Sequence, residues 1–145
     1  MCHIKQKYVE GNELSFLAAA SLITPGVVLT IAHWVIDFTK SPSDLVVTCG
    51  DIVRLDAVTV KDITVEKIVI HPGFTVGFND DFDNDFGLLI LKEQYSMQKE
   101  NVICLPTQKD FEDFDHENCI ATGWGKKAQG GFNYFNPKTK LPKYL

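Results

Sequence analysis

Short β-branched runs cut by turn residues fill this chain, and that pattern leaves little room for anything but a β-protein. Apolar stretches fall at residues 2–8, 14–23, 27–30, 45–49, 59–70 and 86–92. They are rich in Val, Ile, Leu and Thr, of which the β-branched ones are stiff at χ1 and suit a pleated surface better than a helix. Between them stand Glu10-Gly11-Asn12, Thr24-Pro25-Gly26, Ser41-Pro42-Ser43-Asp44 and Gly50-Asp51. Gly, Pro, Asn, Asp and Ser each favour a turn, by φ freedom, a fixed φ or a local side-chain hydrogen bond. A longer connection runs from Pro72 to Asn84. Helix signals are weak: one turn over 33–38 and an acidic turn over 110–115. Strands at this spacing predict an all-β fold, a small antiparallel Greek-key barrel.

At 145 residues, 45% of them apolar, the chain has enough material for one ordinary domain with a real core. Its net charge of −5 argues against nucleic acid as a partner, because phosphate binding needs a basic face. The charge is segregated. Every Asp and Glu lies at or before Glu117, and after Gly125 only Lys126, Lys127, Lys138, Lys140 and Lys143 carry charge. Such scattered lysines read as a solvated tail over 126–145. No apolar run reaches the roughly 18 residues of a membrane helix, so no membrane partner is expected. The opening Met1-Cys2-His3-Ile4-Lys5 lacks the apolar core and small-residue cleavage site of a signal peptide. The organisation read from the chain is a barrel over 1–100, a linker and one further strand over 101–125, and an irregular basic tail over 126–145.

Three segments carry the functional reading. The first is Ser21-Leu22-Ile23, followed by Val28-Leu29-Thr30-Ile31-Ala32-His33. The second is Asn84-Asp85-Phe86-Gly87-Leu88-Leu89, and the third is Ala121-Thr122-Gly123-Trp124-Gly125. Alone, His33 would read as a structural or exposed histidine, and Asp85 as one acid among Asp80, Asp81, Asp83 and Asp85. Together and in this order, the segments resemble those of the trypsin-like serine proteases (peptidase S1). The resemblance implies the first barrel of a two-barrel fold, with 119–125 as the first strand of an incomplete second barrel. It makes His33 the general base and Asp85 the carboxylate that holds its ring.

The same resemblance exposes what the sequence does not supply. The serines are Ser15, Ser21, Ser41, Ser43 and Ser96, and none lies in a Gly-Asp-Ser-Gly-Gly-Pro segment. A histidine and an aspartate without a serine oxygen form no acyl-enzyme. The expectation for this chain alone is therefore no peptide hydrolysis. The family's bridge across the histidine loop is also absent, with Ala18-Ala19-Ala20 and Trp34 at its two ends. Such a bridge would close about 15 residues and contribute about 3 kcal/mol. Trp34 is expected to offset part of that by packing on the alanines. Paired departures of this kind occur in insect-type clip-domain protease homologues.

The resemblance also sorts the cysteines. Cys104, in Ile103-Cys104-Leu105-Pro106, matches a family cysteine that bonds to a prosegment, and Cys119 one that bonds to the second barrel. Their partners would lie outside the sequence. Cys2 and Cys49 fall on strands adjacent in the family barrel, which leaves a disulfide or two buried thiols as alternatives. No metal is expected. Asp81, Asp83 and Asp85 alternate as in an EF-hand, but Lys92 stands where a bidentate Glu is needed. His3, His71 and His116 lack ligand spacing. No cofactor is expected, and His71-Pro72 reads as a structural turn.

Two functions from different classes follow. One is a partial serine endopeptidase domain, secreted as the family is, acting on protein substrates or other cascade proteases. The alternative is a non-catalytic protease homologue that binds and regulates within a protease cascade. A half-domain acting as a binding module is the weakest reading, since open sheet edges invite aggregation.

Overall fold

The computed structural model describes residues 1–7, 14–50, 61–77, 81–96 and 102–108. Cys119, the strand expected over 119–125, the acidic turn over 110–115 and the basic tail lie outside the described residues. The chain divides into two compact units, Met1–Cys104 and Leu105–Leu145, and the first carries the elements below.

Among the described residues there are eight strands: β1 (Cys2–Lys7), β2 (Leu14–Thr24), β3 (Val27–Thr30), β4 (Leu45–Cys49), β5 (Asp62–Ile70), β6 (Thr75–Val76), β7 (Phe82–Asp83) and β8 (Gly87–Leu91). Six of them close an antiparallel barrel in the order β1-β2-β3-β8-β5-β4. Closure removes the edges that a half-fold would otherwise expose. The all-β barrel is thus the architecture that the strand pattern predicts.

Alternation decides which side chains point inward. Cys2 and Ile4 of β1, Ala18, Ala20 and Leu22 of β2, Val28 of β3, and Leu89 and Leu91 of β8 are all buried. On β5 the alternation breaks at Glu66 and Lys67, both exposed, where the pairing with β8 shifts register between Val65 and Lys67. An extra residue there lets Ile63, Val65 and Ile68 all reach the core. A second shift lies between Ile4 and Lys5, opposite Ala18 and Phe16.

Cys2 and Cys49 sit opposite each other in the β1–β4 ladder and are joined by a disulfide, with Cα atoms 4.2 Å apart. Beside them Tyr95 is buried, although it follows the last barrel strand. Its hydroxyl accepts the Cys49 N–H at 3.2 Å and faces the Val47 carbonyl at 2.6 Å and the Lys61 carbonyl at 3.0 Å. Burial pushes this phenol up to about 12. Tyr95 therefore ties β4 to the segment entering β5 at the point where the chain leaves the barrel.

The described residues of the connection from Pro72 to Asn84 are more ordered than the sequence suggests. It contains the β6–β7 pair, with Thr75 opposite Asp83 and Val76 opposite Phe82. The Gly77 N–H donates to the Asp81 carbonyl at 2.7 Å within it. Alternating acids and aromatics hide such a two-residue ladder from a periodicity reading.

Candidate functional site

His33 is delivered by a tight turn that leaves the barrel directly after β3. The Thr30 hydroxyl donates to the Ala19 carbonyl at 3.0 Å, which satisfies a buried polar group and pins the strand end. The Val35 and Ile36 N–H groups both donate to the Ala32 carbonyl at 2.9 Å. Ala32 and Val35 are fully buried and anchor the turn. His33, between them, is left partly exposed. A single 3₁₀ turn, Ile36–Phe38, follows, within the turn expected over 33–38.

Asp85 is delivered from the opposite direction, by the entry to β8. Asn84 takes a left-handed backbone conformation (φ 52°), one that asparagine tolerates better than most residues. Its side-chain amide donates to the Gly73 carbonyl at 3.0 Å and fixes the bend. The His71-Pro72 turn supports the same bend: the His71 N–H donates to the Phe86 carbonyl at 2.9 Å. Two residues after Asp85, Gly87 meets the histidine turn. A Cβ there would lie 3.3 Å from Val35 Cγ2 and 3.6 Å from Ala32 Cα, so glycine permits the close approach.

These two deliveries bring residues 52 apart in sequence into direct contact. The His33 backbone N–H donates to Asp85 Oδ1 at 2.9 Å. His33 Nδ1 lies 2.5 Å from Asp85 Oδ2. One carboxylate thus holds both the backbone of the turn and the ring, the latter through Nδ1. Burial of the Asp85 carboxyl opposes its charge, but the N–H groups of His33 and Ala32 and the imidazole outweigh that and hold it below the usual carboxylate range. An ionised acceptor on Nδ1 selects the tautomer with the proton on that nitrogen. Nε2 then carries a lone pair able to take a proton.

Aromatic rings complete the site. The Phe82 ring stacks on the His33 ring, with centroids 4.4 Å apart and planes 6° from parallel. Trp34 also meets it, tilted by 41° at 5.6 Å. This corrects the expectation for Trp34. The side chain is 48% exposed and stands outside the core cluster that holds Ala18 and Ala20. Its ring contact is with the imidazole of the preceding residue.

Among the described residues no serine hydrogen-bonds to His33; Ser21, for example, pairs with Leu29 inside the β2–β3 ladder. Cys104 is an exposed free thiol. Phe82 was not singled out by sequence reasoning, and Asn84 and Gly87 stood in the segment around Asp85 without a role of their own. Phe82 had one visible signal, an aromatic residue set among four aspartates.

Comparison with known proteins gives a consistent answer. The family model described as Trypsin matches residues 3–142. A calcium-dependent serine proteinase of Mesocricetus auratus is 33% identical over 132 residues, covering 86% of this chain and 19% of that protein. An inactive CLIP domain-containing serine protease A8 of Anopheles gambiae is 35% identical over 133 residues, covering 86% and 34%. Venom serine protease 34 of Apis mellifera is 29% identical over 148 residues, covering 97% and 35%. The chain therefore spans about a third or less of the length of these relatives. With a family match across almost its whole length and a closed antiparallel barrel, this chain belongs to the trypsin family of serine proteases.

Proposed function

We propose that this chain supplies the base-carrying half of a serine endopeptidase site, with His33 as general base and Asp85 as its orienting carboxylate. The observation that carries this is the double engagement of Asp85, one oxygen on the His33 backbone N–H and the other on Nδ1. In the reaction so assigned, Nε2 takes the proton of a serine hydroxyl as its oxygen attacks the peptide carbonyl, and later gives it to the leaving amine. Asp85 stays ionised and stabilises the imidazolium between those steps. Ser15, Ser21, Ser41, Ser43 and Ser96 do not serve as that nucleophile, so this chain alone hydrolyses no peptide bond. Substrates would be proteins, including other proteases of a cascade. The Cys2–Cys49 disulfide supports export, since such bonds persist in oxidising compartments.

Two measurements test this. A serine-directed phosphonylating probe is expected to leave the purified chain unlabelled; stoichiometric labelling would overturn the assignment of inactivity. Sequencing the transcript beyond both ends of the reading frame is expected to reach a Gly-Asp-Ser-Gly-Gly-Pro segment. A glycine at the serine position would instead establish the second reading, a non-catalytic homologue that binds and regulates within a cascade. That reading is favoured by Ala18 and Trp34 at the two ends of the absent bridge, and by the 35% identity to a relative named inactive.

A further inference from the structure

Asp85 and Phe82 lie on one short segment, three residues apart, and both engage the same imidazole. The carboxylate constrains the ring at a single atom. The His χ2 torsion is broad, so a single hydrogen bond at Nδ1 narrows the swing of the ring about Cβ–Cγ without setting its plane. A second contact, across the face of the ring, is needed to fix its plane. Phe82 makes that contact, nearly parallel at 4.4 Å.

Phe82 is itself held. It pairs with Val76 in the β6–β7 ladder, and Phe74 stacks near its ring at 6.2 Å with planes 18° apart. Phe74 in turn is fixed by its N–H, which donates to the His71 carbonyl at 2.9 Å. Four rings, Phe74, Phe82, His33 and Trp34, thus form one continuous series from the hairpin to the histidine turn. The Asn84 bend sits between the two groups that hold the imidazole, so the shape of one loop sets the hydrogen bond and the stack together.

We infer that Phe82 is a positioning residue for His33: it fixes the plane of the imidazole so that Nδ1 remains on Asp85 and Nε2 keeps one direction, with Trp34 as a secondary restraint. This inference rests on the reading of His33 and Asp85 as a working pair and adds the aromatic element to it. Phe82 acts through His33 and touches no reacting atom.

The test is proton NMR of the intact chain, labelled at histidine, which needs no activity. The native chain is expected to show a far-downfield Nδ1–H resonance that exchanges slowly with water, and His33 ring C–H resonances moved upfield by the Phe82 ring current. In Phe82→Ala the downfield resonance is expected to broaden by at least several-fold in exchange rate, and the C–H resonances to return toward free-histidine positions. Phe82→Tyr, which keeps a ring face, is expected to restore both. Trp34→Ala is expected to give a smaller change of the same kind. Phe82 lies on the hairpin and not in the barrel core, so the barrel strands serve as an internal check on folding through their amide spectrum. Unchanged exchange in Phe82→Ala, with the resonance still abolished by Asp85→Asn, would overturn the clamp and leave the pair intact. A downfield resonance absent from the native chain, or insensitive to Asp85→Asn, would instead remove the pair on which the clamp rests.

Discussion

The seam between β1 and β4 and the corner between His33 and Asp85 belong to one barrel but are held in opposite ways. At the seam, a covalent bond joins Cys2 to Cys49 and Tyr95 ties the neighbouring backbone. Core residues around it, Ile4, Leu45, Val47 and Ile63, are almost completely buried. At the corner, two hydrogen bonds and two ring contacts hold a partly exposed histidine, and no disulfide crosses the turn. The seam relies on a covalent bond reinforced by buried contacts. The corner uses directional contacts that set geometry more than stability. A trypsin-family barrel without a bridge at its histidine turn can thus keep its fold, because the restraints on fold and on site are separate.

The largest expected effect breaks the seam. The disulfide spans 47 residues of sequence, so removing it with Cys2→Ala and Cys49→Ala is expected to cost about 4 kcal/mol in the chain-entropy model. Urea unfolding, followed by tryptophan fluorescence, measures the loss. If the comparison is sound, the folded fraction of this variant retains the slow-exchanging His33 proton. Loss of that proton in molecules whose barrel is still intact would show that the corner depends on the seam.

A smaller effect is expected at the hydroxyl beside the disulfide. Tyr95→Phe leaves the Cys49 N–H and the Val47 carbonyl without their hydroxyl partner, at an expected cost of about 2 kcal/mol. The pH dependence separates this from lost packing. The phenol titrates at about 12 when folded against an ordinary value of 10.0, so the folded state favours the neutral form. Its contribution is complete below pH 10 and is lost as the pH rises from there toward 12. Stability of the native chain is therefore expected to fall over that interval. The Phe variant lacks this component, and equal slopes for the two would refute the role given to the hydroxyl.

Much of the seam was legible in the sequence, and only part of the corner. The strands announce themselves through β-branched runs and turn residues, and barrel closure follows from antiparallel pairing at short spacing. The Cys2–Cys49 bridge came from family resemblance and stayed open against two thiols until the strand register set the residues opposite each other. His33 and Asp85 were visible through their flanking segments. The β6–β7 hairpin was not, because each of its strands is two residues long, too short for periodicity to register. Phe82 was hidden with it. Trp34 was misplaced because its place in the chain does not announce which way its side chain turns, and it turns to the ring of His33. Gly87 and Asn84 matter through a close approach and a positive φ, neither of which has a periodic signature.

The smallest effect on stability falls at the corner itself, and it tests the comparison most directly. Asp85→Asn removes a charge that accepts two hydrogen bonds from His33, yet the site is partly exposed and outside the core. The expected loss of barrel stability is about 1 kcal/mol, well below that of the seam variants. Its sign with pH follows from the direction of the Asp85 shift. The folded carboxyl titrates below its ordinary value of 3.8, so ionised Asp85 stabilises the fold. That contribution is complete above the ordinary value and is lost as the pH falls through the folded one. The gap between native and Asp85→Asn stability is therefore expected to be constant near neutrality and to close on acidification below about pH 4. Meanwhile the His33 Nδ1–H resonance is expected to vanish, because a neutral amide, able to present either its oxygen or its N–H₂ group, no longer selects the tautomer. A barrel that unfolds outright in this variant would mean that the corner carries stability after all. A barrel that survives with its histidine proton unchanged would mean that something other than Asp85 orients the ring.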